Sequence, residues 1–165
     1  MRTAVCVLTA VAVAFVLSYD RPSSAATTKC TPSLVTYAPG KVPGIPAVLA
    51  APRTRHAAGY LFYFGQPPFR EKRPRTAVIS INGRTKVGST KILWWLPGGS
   101  RFLTIAGHRL DAAGSFRQTV RRALGGTPSY PSIVDVPAIG CWQLTLRSGT
   151  ATATTVFKAV RLSTG

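Results

Sequence analysis

The sequence predicts an all-β fold, an antiparallel β-sandwich of about seven to nine short strands that follows a cleaved N-terminal signal helix. Short runs of β-branched and aromatic residues recur at intervals of about 8 to 12 residues, and turn residues separate them. After residue 26, no long stretch keeps helical spacing of its apolar side chains. A tryptophan in a strand near the middle of the chain favours a sandwich over a small barrel.

Residues 1–26 have the three regions of a secretory signal peptide. A positively charged start precedes an uncharged apolar stretch, residues 4–17, and a polar segment follows with small residues at Ser24 and Ala26. These small residues predict cleavage before Thr27. A membrane anchor is the rival interpretation, but a spanning helix needs about 20 apolar residues, and this stretch is shorter. We therefore expect a secreted or periplasmic protein with no transmembrane anchor in the mature chain.

The mature chain has the size of one domain. Removing 26 of the 165 residues leaves 139, close to the commonest domain length. Residues 27–59 are rich in proline and glycine and predict an extended segment packed on the domain, with one edge strand near residues 45–50. Residues 60–165 are the predicted β-sandwich domain.

The first part of that domain contains an aromatic run and a hairpin signal. Residues 60–64 predict an aromatic strand. Residues 76–81 lead into Asn82-Gly83, a pair that tolerates the positive φ angles of a type I′ turn. Residues 84–87 are therefore predicted to be the return strand of a hairpin.

Alternation of apolar and polar side chains predicts the later strands. Residues 91–96 place Trp94 between two aliphatic residues on one face of a strand. Trp142, Leu144 and Leu146 likewise share one face of the next-to-last strand. We expect these four residues in the structural core. Further strands are predicted at residues 102–106, 115–120, 130–137 and 150–162.

Three short runs give the chain a resemblance to other proteins: Lys91-Ile-Leu-Trp-Trp95, Arg109-Leu-Asp111 and Pro137-Ala-Ile-Gly-Cys-Trp-Gln-Leu-Thr-Leu146. They resemble uncharacterised exported bacterial proteins with an immunoglobulin-like β-sandwich, in which a Pro-x-x-Gly-x-Trp turn opens the next-to-last strand. The resemblance covers residues 60–163. It implies an immunoglobulin-like fold and carries no activity with it.

The cysteines predict a single disulfide. Cys6 leaves with the signal peptide, so Cys30 and Cys141 remain in a compartment that favours oxidation. Two free thiols are the alternative. Because alternation directs Trp142 inward, Cys141 is expected to face outward, and the bridge would tie the N-terminal segment across the outside of the sheet. A bulge at the start of the strand would leave the direction of Cys141 undetermined.

The mature chain is strongly basic. Loss of Arg2, Arg21 and Asp20 with the signal peptide leaves 19 basic and three acidic residues, a net charge of +16. Such a charge attracts anionic envelope polymers, lipid head groups or nucleic acid, although no dedicated nucleic-acid motif is present. Solubility and arginine-rich composition are the alternative explanation. The candidate polyanion-binding residues lie mostly in predicted loops and are Arg53, Arg55, Arg70, Lys72, Arg73, Arg75, Arg84, Lys86, Arg121 and Arg122.

The chain offers few residues for catalysis. His108, Asp111 and Ser115 could be drawn as a triad, but no Gly-x-Ser-x-Gly motif is present and the three are close in sequence. Gly140-Cys141 is similar to the nucleophile of peptidoglycan L,D-transpeptidases, yet the flanking His and Arg are missing. We predict no catalytic site, metal or cofactor.

The expected function is that of an exported, non-catalytic binding or structural module of the cell envelope. The alternative is an exported hydrolase or transpeptidase-like enzyme that uses Cys141 or His108.

Overall fold

The described part of the chain is folded into β-sheets. The computed structural model describes residues 29–37, 42, 44–52, 56–66, 69–81, 83–85 and 88–161. They form two five-stranded sheets and a separate two-stranded hairpin, which confirms the predicted all-β, sandwich-like fold. The predicted signal peptide and its cleavage point before Thr27 lie outside the described residues.

The described residues contain twelve strands, more than the seven to nine expected, because five of them are only two or three residues long. In chain order the strands are β1 (Val35–Thr36), β2 (Ala47–Leu49), β3 (Ala58–Leu61), β4 (Val78–Ser80), β5 (Arg84–Thr85), β6 (Gly88–Ser89), β7 (Lys91–Trp95), β8 (Phe102–Arg109), β9 (Ser115–Arg121), β10 (Ser129–Ile133), β11 (Gly140–Ser148) and β12 (Ala151–Val160).

Each sheet has a distinct strand order. The first sheet runs β1-β2-β3-β7-β10, and its neighbouring strands are all antiparallel. The second sheet runs β4-β12-β11-β8-β9; β4 is parallel to β12, and the other pairs are antiparallel. The second sheet therefore combines the last two strands of the chain with β8 and β9 from its middle.

The core lies between the two sheets and is built by alternation. In β7, Trp94 is fully buried and meets Phe157 of β12 at 6.3 Å between ring centroids. In β11, Trp142, Leu144 and Leu146 are at most 1% exposed and belong to the same cluster. These four residues occupy the inward positions that the sequence pattern assigned to them.

The hairpin predicted at Asn82-Gly83 is wrong. β4 pairs in parallel with β12, not with β5, and β5 pairs with β6. The Gly83 carbonyl accepts a hydrogen bond from the Thr90 amide at 2.8 Å, which extends the β5–β6 ladder. β4 therefore has its partner in the last strand of the chain rather than in β5. Asn82 lies outside the described residues.

The aromatic strand predicted at residues 60–64 is displaced toward the N-terminus. β3 ends at Leu61, and residues 62–65 form a turn. In that turn the Tyr63 hydroxyl donates to the Val78 carbonyl at 2.7 Å, and its ring packs on Phe64 and Phe69. The aromatic run thus forms a packed cluster beside β4. The domain boundary expected between residues 59 and 60 lies inside β3.

The N-terminal segment joins the two sheets along the part of β12 that β4 does not cover. Its strands β1 and β2 belong to the first sheet. The Ser33 amide donates to the Val156 carbonyl at 2.8 Å, and Ala51 and Thr154 exchange two backbone hydrogen bonds of 2.7 Å. The segment is therefore hydrogen-bonded into both sheets.

None of the described residues belongs to a helix with the length and apolar character needed to cross a membrane.

Candidate functional site

The most distinctive surface is the outward side of β8, β9 and β11, which we call the basic face. Alternation in these strands directs one set of residues into the core and the other set to this surface. The basic face consists of Phe102, Thr104, Ala106, His108, Ser115, Arg117, Thr119, Arg121, Gln143, Thr145 and Arg147.

Strand register brings three exposed arginines together around threonine hydroxyls. Arg147 of β11 is opposite Thr104 of β8, which in turn is opposite Thr119 of β9. Thr119 lies midway between Arg117 and Arg121. With strands about 4.8 Å apart and a rise of about 3.3 Å per residue, the Arg147 Cα is ~10 Å from that of Thr119, and those of Arg117 and Arg121 are ~13 Å apart.

No arginine of this surface forms a salt bridge with a carboxylate of the described residues. Those carboxylates are Glu71 in the loop before β4, Asp111 in the turn between β8 and β9, and Asp135 beside Gly83. The one salt bridge among the described residues joins Arg109 to Asp111. The arginines of the basic face therefore present a positive potential to solvent.

Further cations extend the basic face at the start of β8. The Arg101 guanidinium lies 5.3 Å from the ring centroid of Phe102, within the range of a cation–π contact. Phe102 is 47% exposed. The Arg122 amide donates to the Arg101 carbonyl at 2.9 Å, which brings Arg101, Arg121 and Arg122 to the same end of the sheet.

The polyanion-binding residues predicted from the sequence lie in separate regions of the structure. Arg121 and Arg122 lie at the end of β9, whereas Arg70, Lys72, Arg73 and Arg75 are exposed in the loop before β4, at the opposite edge of the second sheet. Arg84 is in β5. Arg53, Arg55 and Lys86 lie outside the described residues.

Sequence reasoning missed Arg101, Arg117 and Arg147. Alternation places Arg147 on the polar side of its strand, but Arg147 does not stand in a run of basic residues. These arginines come together only through the register of strands that are distant in sequence.

The predicted disulfide is present at the other end of the second sheet. The Sγ atoms of Cys30 and Cys141 are 2.11 Å apart and their Cα atoms 5.4 Å, which indicates an oxidising compartment. Cys141 is opposite Lys158, an exposed residue, so it lies on the outward side of β11. It is nevertheless fully buried and is not part of the main core cluster. The Cys30 segment thus crosses the outside of the sheet.

The turn beside the disulfide brings two of the three runs that carry the resemblance into contact, Arg109–Asp111 and Pro137–Leu146. The Asp111 carboxylate accepts from Arg109 Nε at 2.7 Å and from the Cys141 amide at 3.1 Å. Gly140, with φ of 137°, lies under this pair, and a Cβ there would be 2.6 Å from Arg109 Nε. The Trp142 indole donates to the Ala138 carbonyl at 2.9 Å.

The ionisation of Asp111 reflects these contacts. Burial raises its pKa, but the hydrogen bonds from Arg109 and the Cys141 amide, with the charge of Arg109, outweigh this effect and lower the pKa below its ordinary value of 3.8. The carboxylate that a His108 triad would need is thus held by Arg109 and Cys141. His108 itself is exposed and opposite Ser115.

The described residues contain no group of three or more His, Cys, Asp or Glu side chains placed to hold a metal ion.

A scan of protein-family models found no match to this chain, and neither the curated proteins nor the solved structures include one that matches it.

Proposed function

We propose that this chain is an exported, non-catalytic binding module of the cell envelope that contacts polyanions. The observation that carries the proposal is the basic face, where Arg117, Arg121 and Arg147 surround threonine hydroxyls on an exposed sheet. The basic loops expected from the sequence contribute charge, but the face concentrates it on a rigid element.

The chemistry of the basic face suits phosphate, sulfate or carboxylate groups. A guanidinium forms two parallel hydrogen bonds with such groups, and threonine hydroxyls add further donors. Arginines separated by about 10 to 13 Å can contact successive charges of a polymer or neighbouring lipid head groups. Because the surface is exposed, binding is expected to be reversible and to weaken with salt.

Two features support export and an immunoglobulin-like fold. The disulfide fits a chain that passes into an oxidising compartment after loss of residues 1–26. The first sheet contributes β7 with its buried Trp94, while β4 joins the second sheet in parallel with the last strand. The Pro137–Trp142 turn opens the next-to-last strand, in keeping with the exported bacterial proteins that the sequence resembles.

The alternative of a hydrolase or transpeptidase-like enzyme has less support. Cys141 is buried and bonded to Cys30, which leaves no thiolate to attack a substrate. His108 lacks the orienting carboxylate because Asp111 bonds Arg109 and Cys141.

The test compares two variants that lose the same charge. In the face variant, Arg117→Gln, Arg121→Gln and Arg147→Gln are combined; in the loop variant, Arg70→Gln, Lys72→Gln and Arg73→Gln are combined. Binding to heparin and to vesicles with anionic lipids is measured over a range of salt concentrations. The expected result is at least about tenfold weaker binding by the face variant and a salt slope lower by roughly three.

The loop variant is the control and is expected to stay within about threefold of wild type, since its residues lie at the other edge of the sheet. Urea unfolding checks that both variants keep their stability. Equal weakening of the two variants would mean that net charge alone is responsible. Wild-type binding that is absent at low salt, or insensitive to salt, would also overturn the proposal.

A further inference from the structure

A cavity of about 410 Å³ opens beside the Cys30–Cys141 disulfide. It lies at the end of the second sheet opposite to Arg121, because Cys141 and Lys158 pair there while Arg121 pairs with the first residue of β8. Its volume falls within the range of about 300–1,000 Å³ that is typical of small-molecule sites. Its walls combine apolar groups with charged ones.

The apolar part of the cavity is formed by the disulfide, Ile139 and Val160. Ile139 is 53% exposed, so its side chain offers apolar surface to a ligand. The Cys30 side of the disulfide is partly exposed, whereas Cys141 is fully buried. An apolar ligand resting here would remove Ile139 and the disulfide from water.

The charged part of the cavity has an excess of two cations. Arg109 and Asp111 line the wall, but their charges cancel in the ion pair. Lys158 and Arg161 are exposed at the same cavity, and neither has a carboxylate within ion-pair distance among the described residues. The two cations are therefore available to an anionic group.

We propose that this cavity binds a single-chain amphiphilic anion, with a phosphate head group held by Lys158 and Arg161 and an alkyl chain against Ile139 and the disulfide. A doubly charged phosphate matches the charge of the two excess cations, and the apolar wall provides a contact surface for the alkyl chain. This site goes beyond the basic face, because polyanion binding on that face requires no apolar contact.

Three probes separate the contributions of head and chain. Octyl phosphate carries both, inorganic phosphate carries only the head, and octyl glucoside carries the same chain with a neutral head. Binding is measured by titration calorimetry below the micelle concentrations, and amide chemical shifts of Gly140 and Cys141 locate the site. Octyl phosphate is expected to bind at least about tenfold more tightly than either other probe. One charge-assisted hydrogen bond, or two buried methylene groups, contributes about this factor to an affinity.

Single substitutions test the assignment. Lys158→Gln and Arg161→Gln are each expected to weaken octyl phosphate binding about tenfold. Ile139→Ser is expected to weaken octyl phosphate and leave inorganic phosphate unchanged. Lys91→Gln removes an exposed charge from β7 in the first sheet, outside both proposed sites, and serves as the control, with an expected change below about twofold. All four positions are exposed, so the variants should fold.

Several outcomes would overturn the proposal: octyl phosphate binding no tighter than inorganic phosphate, unchanged binding by Lys158→Gln and Arg161→Gln, or equal weakening by Lys91→Gln. Shifts confined to other amides in the wild-type protein would do so as well. Heparin binding measured on the same proteins reports separately on the basic face, so failure at the cavity leaves that result intact.

Discussion

On its β4–β12 side the second sheet is covered by the N-terminal segment, whereas at its β9 edge it presents arginines to solvent. Ser33 and Ala51 bond to the backbone of β12, β4 pairs with the end of that strand, and the disulfide crosses nearby. On β9, Arg117 and Arg121 are exposed, and the Gln118 side chain links the strand to the first sheet through the Ile133 carbonyl at 3.0 Å and the Asp135 amide at 3.1 Å.

This difference between the two sides of the sheet indicates that separate residues provide stability and binding. Backbone hydrogen bonds and the disulfide constrain the β4–β12 side, whose exposed cations lie in the loop before β4 and at the cavity. The β9 side is held by its ladder with β8, by the Gln118 hydrogen bonds and by Phe116, which packs on Trp142. Exposed charge on an edge strand discourages pairing with other chains. Changes at the constrained side should therefore lower the free energy of unfolding and leave heparin binding intact.

The largest expected effect is that of removing the disulfide. Combining Cys30→Ser with Cys141→Ser opens a loop with a sequence separation of 111 residues, and we expect a loss of about 2–5 kcal/mol in the free energy of unfolding. Urea unfolding measures the loss, and reduced wild-type protein provides the control. Heparin retention of the folded variant should match wild type; if it falls in parallel, the two sides of the sheet are not independent.

A smaller loss is expected from Gly140→Ala. A Cβ at Gly140 would displace the Arg109–Asp111 pair, and the backbone there has a positive φ of 137°. We expect a loss of about 2–3 kcal/mol, since strained backbone costs about 1–3 kcal/mol and a displaced contact adds to it. Gly98→Ala is the matched control, because Gly98 has φ of 75° but nothing within 4 Å of its Cβ position.

The control should lose about 1–2 kcal/mol from backbone strain alone. If urea unfolding gives the two glycine variants equal losses in the free energy of unfolding, displacement of the Arg109–Asp111 pair does not destabilise the protein.

The smallest effect is expected from the pH dependence of Asp111. Its pKa is lowered in the folded protein, so its carboxylate stabilises the fold above the ordinary value of 3.8, and this contribution disappears as the pH falls through the lowered pKa. Asp111→Asn should be less stable than wild type at pH 7, and the difference should shrink as the pH falls from 3.8 through the lowered pKa. Urea midpoints at several pH values measure this; a constant difference between the two proteins at all pH values would contradict it.

Local patterns predicted much of the fold. Alternation identified the inward side of β7 and β11, including Trp94 and Trp142, because burial on one face of a strand repeats every two residues. Counting cysteines after removal of the signal peptide predicted the Cys30–Cys141 pair. Both inferences depend on neighbours along the chain or on a simple count.

Features that depend on distant strands could not be predicted in this way. The Asn82-Gly83 signal concerns turn geometry alone, while the partner of β4 is the last strand of the chain. The loop cations were visible as runs in the sequence, but Arg117 and Arg147 meet only because β8 lies between β9 and β11. The charge runs of the sequence therefore pointed to loops, whereas the candidate site lies on a sheet.

The position of the disulfide also determines how the molecule responds to a pulling force. A force applied between Cys30 and Arg161 passes directly across the bridge to Cys141, so the chain from Cys30 to Cys141 cannot lengthen. The load falls on β12, and Cys141 and Lys158 lie opposite each other near the open end of its hairpin with β11. The bonds of β12 to β4, Ser33 and Ala51 resist the same force. These hydrogen bonds would break one pair at a time, and extension would stop when the β11–β12 hairpin is straight.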